Sequence, residues 1–316
     1  MNIAPVTSKR LFPLGLLFLV LILLSTLPIY GPKYAVILLT DILLYVILAL
    51  SWAIFSGPTG YISLASAAFF GAGMYTSAFL GKALPLFVVV GIGGLISSCL
   101  AFMAGTLTLR LRGMYFIMFT FGLSQLIKHL ILWWEAHVSG TIGRFVIIIN
   151  VITVYYVILV LFVMALLIAY LIRRSRLGLA LQSIGENEDA AAHRGVNVTV
   201  VKVITFALSA FFIGAAGAIM ATRWTYIDPS ICFNPLYSFM PVLMAIFGGL
   251  GQLYGPIIGG VIFAYLEEVL ITRFAYYYML FFGIILVIVI LYLPNGFVGL
   301  IQKWRKRPLE GQHAST

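Results

Sequence analysis

Residues 146–172 read VIIINVITVYYVILVLFVMALLIAYLI, an apolar run with no charged side chain, and Arg173, Arg174 and Arg176 follow it directly. A helix that crosses a bilayer needs about 20 such residues. A barrel strand would alternate apolar and polar positions over about ten residues, so this run reads as a membrane-crossing helix whose backbone groups pair within it. Similar runs flank it at 11–30, 34–55, 64–80, 84–109 and 114–134 on one side and at 203–222, 239–250, 255–271 and 277–293 on the other. The run at 239–250 is too short to cross as drawn. It is expected to begin earlier, near Ile231, or to be re-entrant, so eight to ten crossings are predicted. The fold class that follows is an all-α polytopic membrane protein with broken or re-entrant elements.

Composition points the same way. Hydrophobic residues make up 63% of the 316 and charged ones 9%, against roughly 45–50% apolar in a soluble globular chain. The net charge of +10 does not imply nucleic acid, because the basic residues lie between apolar runs rather than in one solvated domain. Lys9 and Arg10 precede the first run as they would in a signal peptide. The length of that run and the lack of a small-x-small site predict an uncleaved helix instead. Cys99 and Cys232 suggest no disulfide framework.

Charge also sets an expected orientation. With the N-terminus in the cytoplasm, Lys9, Arg10, Arg110, Arg112, Arg173, Arg174, Arg176, Arg194, Lys202, Lys303, Arg305, Lys306 and Arg307 fall on that side. Lys33, Lys82, Arg144, Arg223 and Arg273 fall on the other. The imbalance predicts both termini inside, a cytoplasmic loop at 173–202 and a basic cytoplasmic tail at 294–316, all within one transmembrane domain spanning 1–316.

Two glycine-rich interruptions stand out. Gly57, Pro58, Thr59 and Gly60 precede the small-residue run ASAAFFGAG, and Gly248, Gly249 and Gly251 precede GPIIGG. Breaks at membrane depth are tolerated where the backbone is shielded by protein or lines a cavity, and a pair of them suggests an internal repeat. The plainer alternative is two short loops followed by close helix packing through Gly and Ala.

The cytoplasmic loop carries IGENEDAAAHRGVNV at 184–198. Its pattern predicts a short helix over 185–195. Glu186, Glu188 and Asp189 crowd the first turn, Ala190 and Ala191 favour helix, and Gly195 suits a left-handed stop. Ahead of it, Leu177, Ala180, Leu181 and Ile184 have the spacing of an amphipathic face.

The segment E-N-E-D-A-A-x-x-x-G-V-N-V, with GPTGYISLASAAFFGAGMY, LRLRGMYFIMFTF and VLMAIFGGLGQLYGPIIGG in the same order along the chain, resembles the permeases of branched-chain amino acid ATP-binding-cassette transporters, the M-type subunit in particular. The resemblance covers about 48–300. It implies a permease of a bacterial inner-membrane importer that forms the translocation pathway with a second, related permease. An external binding protein would deliver substrate, and two cytoplasmic ATPases would hold ATP and magnesium, with no cofactor on this chain. It also implies that Glu186, Asn187, Glu188, Ala190, Ala191 and Gly195 contact an ATPase. The chain departs from the family pattern at Ser66, where many relatives carry histidine, and at VSGTIGRFV, where relatives tend to be Thr-Gly-Gly-rich. Urea or a short amide is therefore kept beside branched-chain amino acids as a substrate class.

No G-x-x-x-x-G-K-[ST] loop and no metal-binding histidine spacing occur, so neither ATP hydrolysis nor metal catalysis is expected of this chain. Ser124 and His129 lack a surrounding nucleophile motif. Ionisable groups inside spans are candidate functional sites, and Asp41 is the foremost, as a pathway residue or at the outer interface. Lys128 can snorkel beside Trp133 and Trp134, and Glu267 and Glu268 are expected at a span end facing Arg273. Thr59, Ser63 and Gln125 could line a path or simply bond neighbouring helices. The rival from another class is a self-contained, ion-coupled secondary transporter or channel with Asp41 as its coupling carboxylate.

Overall fold

The computed structural model describes residues 11–250 and 252–274, with Tyr276, Tyr277, Leu280, Gly283 and Ile284. The expected run at 277–293 is described only at those few positions, and Gly251 and the basic tail at 294–316 lie outside the described residues. The chain forms α1 (Leu11–Tyr30), α2 (Lys33–Thr59), α3 (Ser66–Leu80), α4 (Leu86–Thr108) and α5 (Met114–Trp134), then a π-helical turn (Glu135–Ser139) and β1 (Arg144–Phe145). There follow α6 (Val151–Arg174), α7 (Arg176–Glu186), α8 (Glu188–His193), α9 (Val198–Ala221), β2 (Tyr226–Ile227), α10 (Pro229–Cys232), α11 (Leu236–Gly248) and α12 (Tyr254–Arg273). Seven stretches among the described residues are long and apolar enough to cross a membrane: α2, α4, α5 with its π turn, α6, α9, α10 with α11, and α12. This is an all-α polytopic membrane protein.

Helix α9 is the centre of the bundle, packed against α2, α3 and α4. Small residues let the backbones meet. A methyl added at Gly73 would strike the Gly214 carbonyl, and one at Gly214 would strike Ser97 and the Gly93 carbonyl. Such contacts are how helices associate where lipid removes the hydrophobic incentive. The aromatic group of Phe55, Phe69, Phe116 and Phe206 fills the space between α2, α3, α5 and α9.

The run that opened the sequence reading begins as a helix later than expected. Asn150 caps α6 by accepting the Ile152 N–H at 3.1 Å. The residues before it are drawn into an extended pairing, Arg144 opposite Ile227 and Phe145 opposite Tyr226, continued by Val146 N–H to the Thr225 carbonyl at 3.0 Å. The short run at 239–250 does begin earlier, at Pro229, but as two helices. Asp228 caps α10 through the Ile231 N–H at 2.8 Å, and in the turn between the helices Asn234 Oδ1 accepts the Leu236 N–H at 3.0 Å.

Two further expectations are corrected. The loop helix expected over 185–195 is split at Asn187, whose extended backbone (φ −159°) ends α7 and whose side chain caps α8 at Ala190 N–H, 3.0 Å away. Glu186 therefore closes α7 instead of opening α8. The buried face of α7 is Gly178, Leu181 and Ile184, with Leu177 exposed. Glu267 and Glu268 do not face Arg273; they lie inside α12 against α2, where Tyr34 donates to Glu268 at 2.9 Å and Tyr45 meets Glu267.

Candidate functional site

Helices α7 and α8 sit at one end of the bundle, directly on the first glycine-rich interruption. Helix α2 continues through Pro58 and stops at Gly60, which is left-handed (φ 72°). Gly185 of α7 lies so close to this end that a methyl on it would strike the Pro58 carbonyl oxygen. The second interruption adjoins the first, since a methyl on Gly57 would come within 3.7 Å of the Leu250 carbonyl. Among these elements is a cavity of about 320 Å³, lined by Gly57, Pro58, Gly185, Glu186, Leu250 and Gln252 among others.

The two interruptions differ in kind. At the second, Gly248 and Gly249 (φ 105°) end α11 and α12 turns back against it so closely that a methyl at Gly248 would strike the Gly255 carbonyl and one at Gly259 the Met244 carbonyl. That is tight helix packing. At the first, residues 60–65 are not helical at all, yet Ser63, Leu64 and Ala65 are buried. Buried backbone must find partners, and here side chains from three helices supply them. Trp52 Nε1–H donates to the Ser63 carbonyl at 2.8 Å. Leu64 N–H donates to Thr120 Oγ1 at 3.1 Å. The Leu64 carbonyl accepts from Ser124 Oγ at 3.0 Å and from Ser238 Oγ at 2.7 Å, and Ser238 Oγ also accepts the Ala67 N–H at 3.2 Å. Ser124 is ten residues inside α5, about 15 Å along its axis, so this non-helical segment runs from the α7–α8 end to the depth of the bundle. It is the shielded, non-helical backbone that membranes tolerate.

At its other end the segment is tied to the loop. Tyr61 OH donates to Glu188 Oε2 at 2.6 Å and accepts from Lys202 Nζ at 2.9 Å, while Lys202 Nζ also donates to Glu188 Oε1 at 2.7 Å. Lys202 is 1% exposed, a cation that could not be kept there without this carboxylate. Arg112, from the turn between α4 and α5, reaches Asp189 at 2.9 Å and lies 3.6 Å from Glu188. Burial raises the Glu188 carboxyl's affinity for protons, but the hydrogen bonds from Lys202 and Tyr61 and the charges of Lys202 and Arg112 outweigh it and hold the group below the usual carboxylate range. Asp189 is held low by its hydrogen bond to Arg112.

The predicted residues thus divide. Glu188 is turned inward, whereas Glu186 and Asn187 are exposed and Ala191 is buried. Gly195 is left-handed (φ 85°), open on its Cβ side, and ends α8 as expected. Thr59 Oγ1 donates to the Phe55 carbonyl at 2.7 Å and accepts the Tyr61 N–H at 3.3 Å, so it trims the end of α2. Ser63 accepts the Ala65 N–H at 3.3 Å. Gln125 presents a buried Nε2 with no hydrogen-bond partner. Asp41 lies 18 residues from Thr59 along α2, about 27 Å away, and is ion-paired with Arg223 at the opposite end of the bundle. Thr120, Ser124, Lys202 and Ser238 escaped the sequence reading as a set; the signal available was hydroxyl residues within apolar runs and a lysine at the foot of one.

A family model described as branched-chain amino acid transport system / permease component matches residues 34–290. The high-affinity branched-chain amino acid transport system permease protein LivM of Salmonella typhimurium is 25% identical, over 92% of this chain and 75% of its own. LivM of Escherichia coli is 26% identical over 89% and 74%. The xylose transport system permease protein XylH of Haemophilus influenzae is 33% identical, but over 35% of this chain and 31% of its own. No solved structure matches. With most of its length inside the family model, the chain belongs to the family of branched-chain amino acid transport system permease components.

Proposed function

We propose that this protein is the membrane permease subunit of an ATP-binding-cassette importer for branched-chain amino acids. It forms the pathway with a second, related permease, receives substrate from an external binding protein, and is driven by two cytoplasmic ATPases that carry the ATP and magnesium. Both termini and the loop at 173–202 lie on the cytoplasmic side of a bacterial inner membrane, a placement the distribution of lysine and arginine supports. The observation that carries the reading is the α7–α8 loop itself, a braced, helical projection seated on a break in a membrane helix, where a force applied from outside the bilayer would be felt within it. Branched-chain amino acids are preferred to sugars because the LivM proteins align over nine-tenths of the chain and XylH over about a third. The ion-coupled alternative loses support from Arg223, which already neutralises the Asp41 carboxylate.

The test is reconstitution in liposomes with candidate ATPases, a second permease and a binding protein from the same organism. Leucine uptake should require ATP and every component. Uptake by this chain alone, driven by an ion gradient and lost in Asp41→Asn, would refute the proposal.

A further inference from the structure

We infer that the non-helical segment at residues 60–65 is the element that carries movement of the loop into the bundle, with Tyr61 and Glu188 as its positioning residues. The inference rests on the importer reading and goes beyond it by assigning the inward face of the loop a task of its own. Three observations converge. At one end the segment is clasped by the loop, because Tyr61 OH bridges Glu188 of α8 and Lys202 of α9 at 2.6 and 2.9 Å. At the other, Leu64 is held through both its N–H and its carbonyl by Thr120, Ser124 and Ser238 of α5 and α11. Between the ends lie only Ile62 and Ser63, and the Ser63 carbonyl is itself held by Trp52 Nε1–H at 2.8 Å, which leaves the segment little slack.

A helix end transmits displacement poorly when it can unwind or fray, whereas a short segment bonded at both ends has little slack to take up. Displacing α8 by breaking the Glu188–Tyr61 bond would leave Lys202 buried beside half its partners, which is costly. Moving Tyr61 with α8 keeps the Tyr61–Glu188 bond, and the pull then arrives at Leu64, which α5 and α11 hold. Arg112 keeps Asp189 and Glu188 from separating on the outer side. Glu188 thus faces away from any partner seated on the loop, and the exposed Glu186, Asn187 and Asp189 are left to meet one.

Tyr61→Phe isolates the claim, because it deletes one hydroxyl and keeps the ring against Phe116. The full transporter should be reconstituted with wild type, Tyr61→Phe and Glu188→Gln, and leucine taken up per ATP hydrolysed should be measured together with ATPase co-purification and melting temperature. Uptake per ATP is expected to fall about tenfold in both variants, the scale of one charge-assisted hydrogen bond, with the ATPases still bound and still hydrolysing. If Glu188→Gln sheds the ATPases while Tyr61→Phe behaves as wild type, Glu188 is a partner contact and the inference is wrong. It is equally wrong if uptake and hydrolysis fall in step, or if neither changes. A wild-type complex that shows no ATP-driven uptake would instead sink the importer reading itself.

Discussion

Replacing Ser238 with alanine should cost this protein more stability than replacing Ser124, although both hydroxyls donate to the same carbonyl. Ser124→Ala removes one donor from Leu64 O, which keeps Ser238 Oγ at 2.7 Å. The cost is that of one net hydrogen bond, about 0.5–1.5 kcal/mol. Ser238→Ala also leaves Leu64 O one donor, Ser124 Oγ at 3.0 Å, but it strands the Ala67 N–H in a position that is 0% exposed. A buried donor without a partner adds about 1–3 kcal/mol. The double variant leaves Leu64 O with neither donor, so its cost should exceed the sum of the singles by about 1 kcal/mol, as expected for residues sharing one partner. Equilibrium unfolding by SDS titration in mixed micelles, followed by far-ultraviolet circular dichroism, measures all three. Strict additivity, or a Ser124→Ala variant weaker than Ser238→Ala, would show that these hydroxyls do not converge on Leu64 and that the segment is not pinned as described.

Gly185→Ala should lower the melting temperature and loosen α7, since its methyl would strike the Pro58 carbonyl and overpacking costs about 1–3 kcal/mol. Gly57→Ala, whose methyl meets only an ordinary contact at 3.7 Å, should be close to neutral by the same measurement. At Gly195 the space is open and the strain is purely conformational. Gly195→Val should therefore cost about 1–2 kcal/mol and Gly195→Asn less, read as faster hydrogen exchange in α8. The Glu188 carboxyl titrates below its usual range in the folded protein, so the stability it gives is complete above about pH 4.3 and is lost as pH falls through the lower folded value. The protection of α8 amides relative to an unstructured chain should hold steady from neutral pH down to that point and fall below it, and Glu188→Gln should abolish the step.

The one-dimensional features were legible in the residues. Unbroken apolar runs can only be membrane helices, the glycine clusters mark where those helices stop, and alanines between acids and a glycine make a short helix within 185–195, though not its break at Asn187, because each of these is settled within a few residues of chain. What the sequence did not disclose were partnerships across long separations. Tyr61 and Glu188 are 127 positions apart, Leu64 and Ser238 174, and no periodicity connects them. The tertiary structure alone decided that Glu188 points inward, because a buried lysine at the foot of α9 has to be neutralised. It alone decided that residues 60–65 stay unwound inside the bundle, because hydroxyls from α5 and α11 and an indole from α2 supply the partners their backbone would otherwise find only by becoming helix.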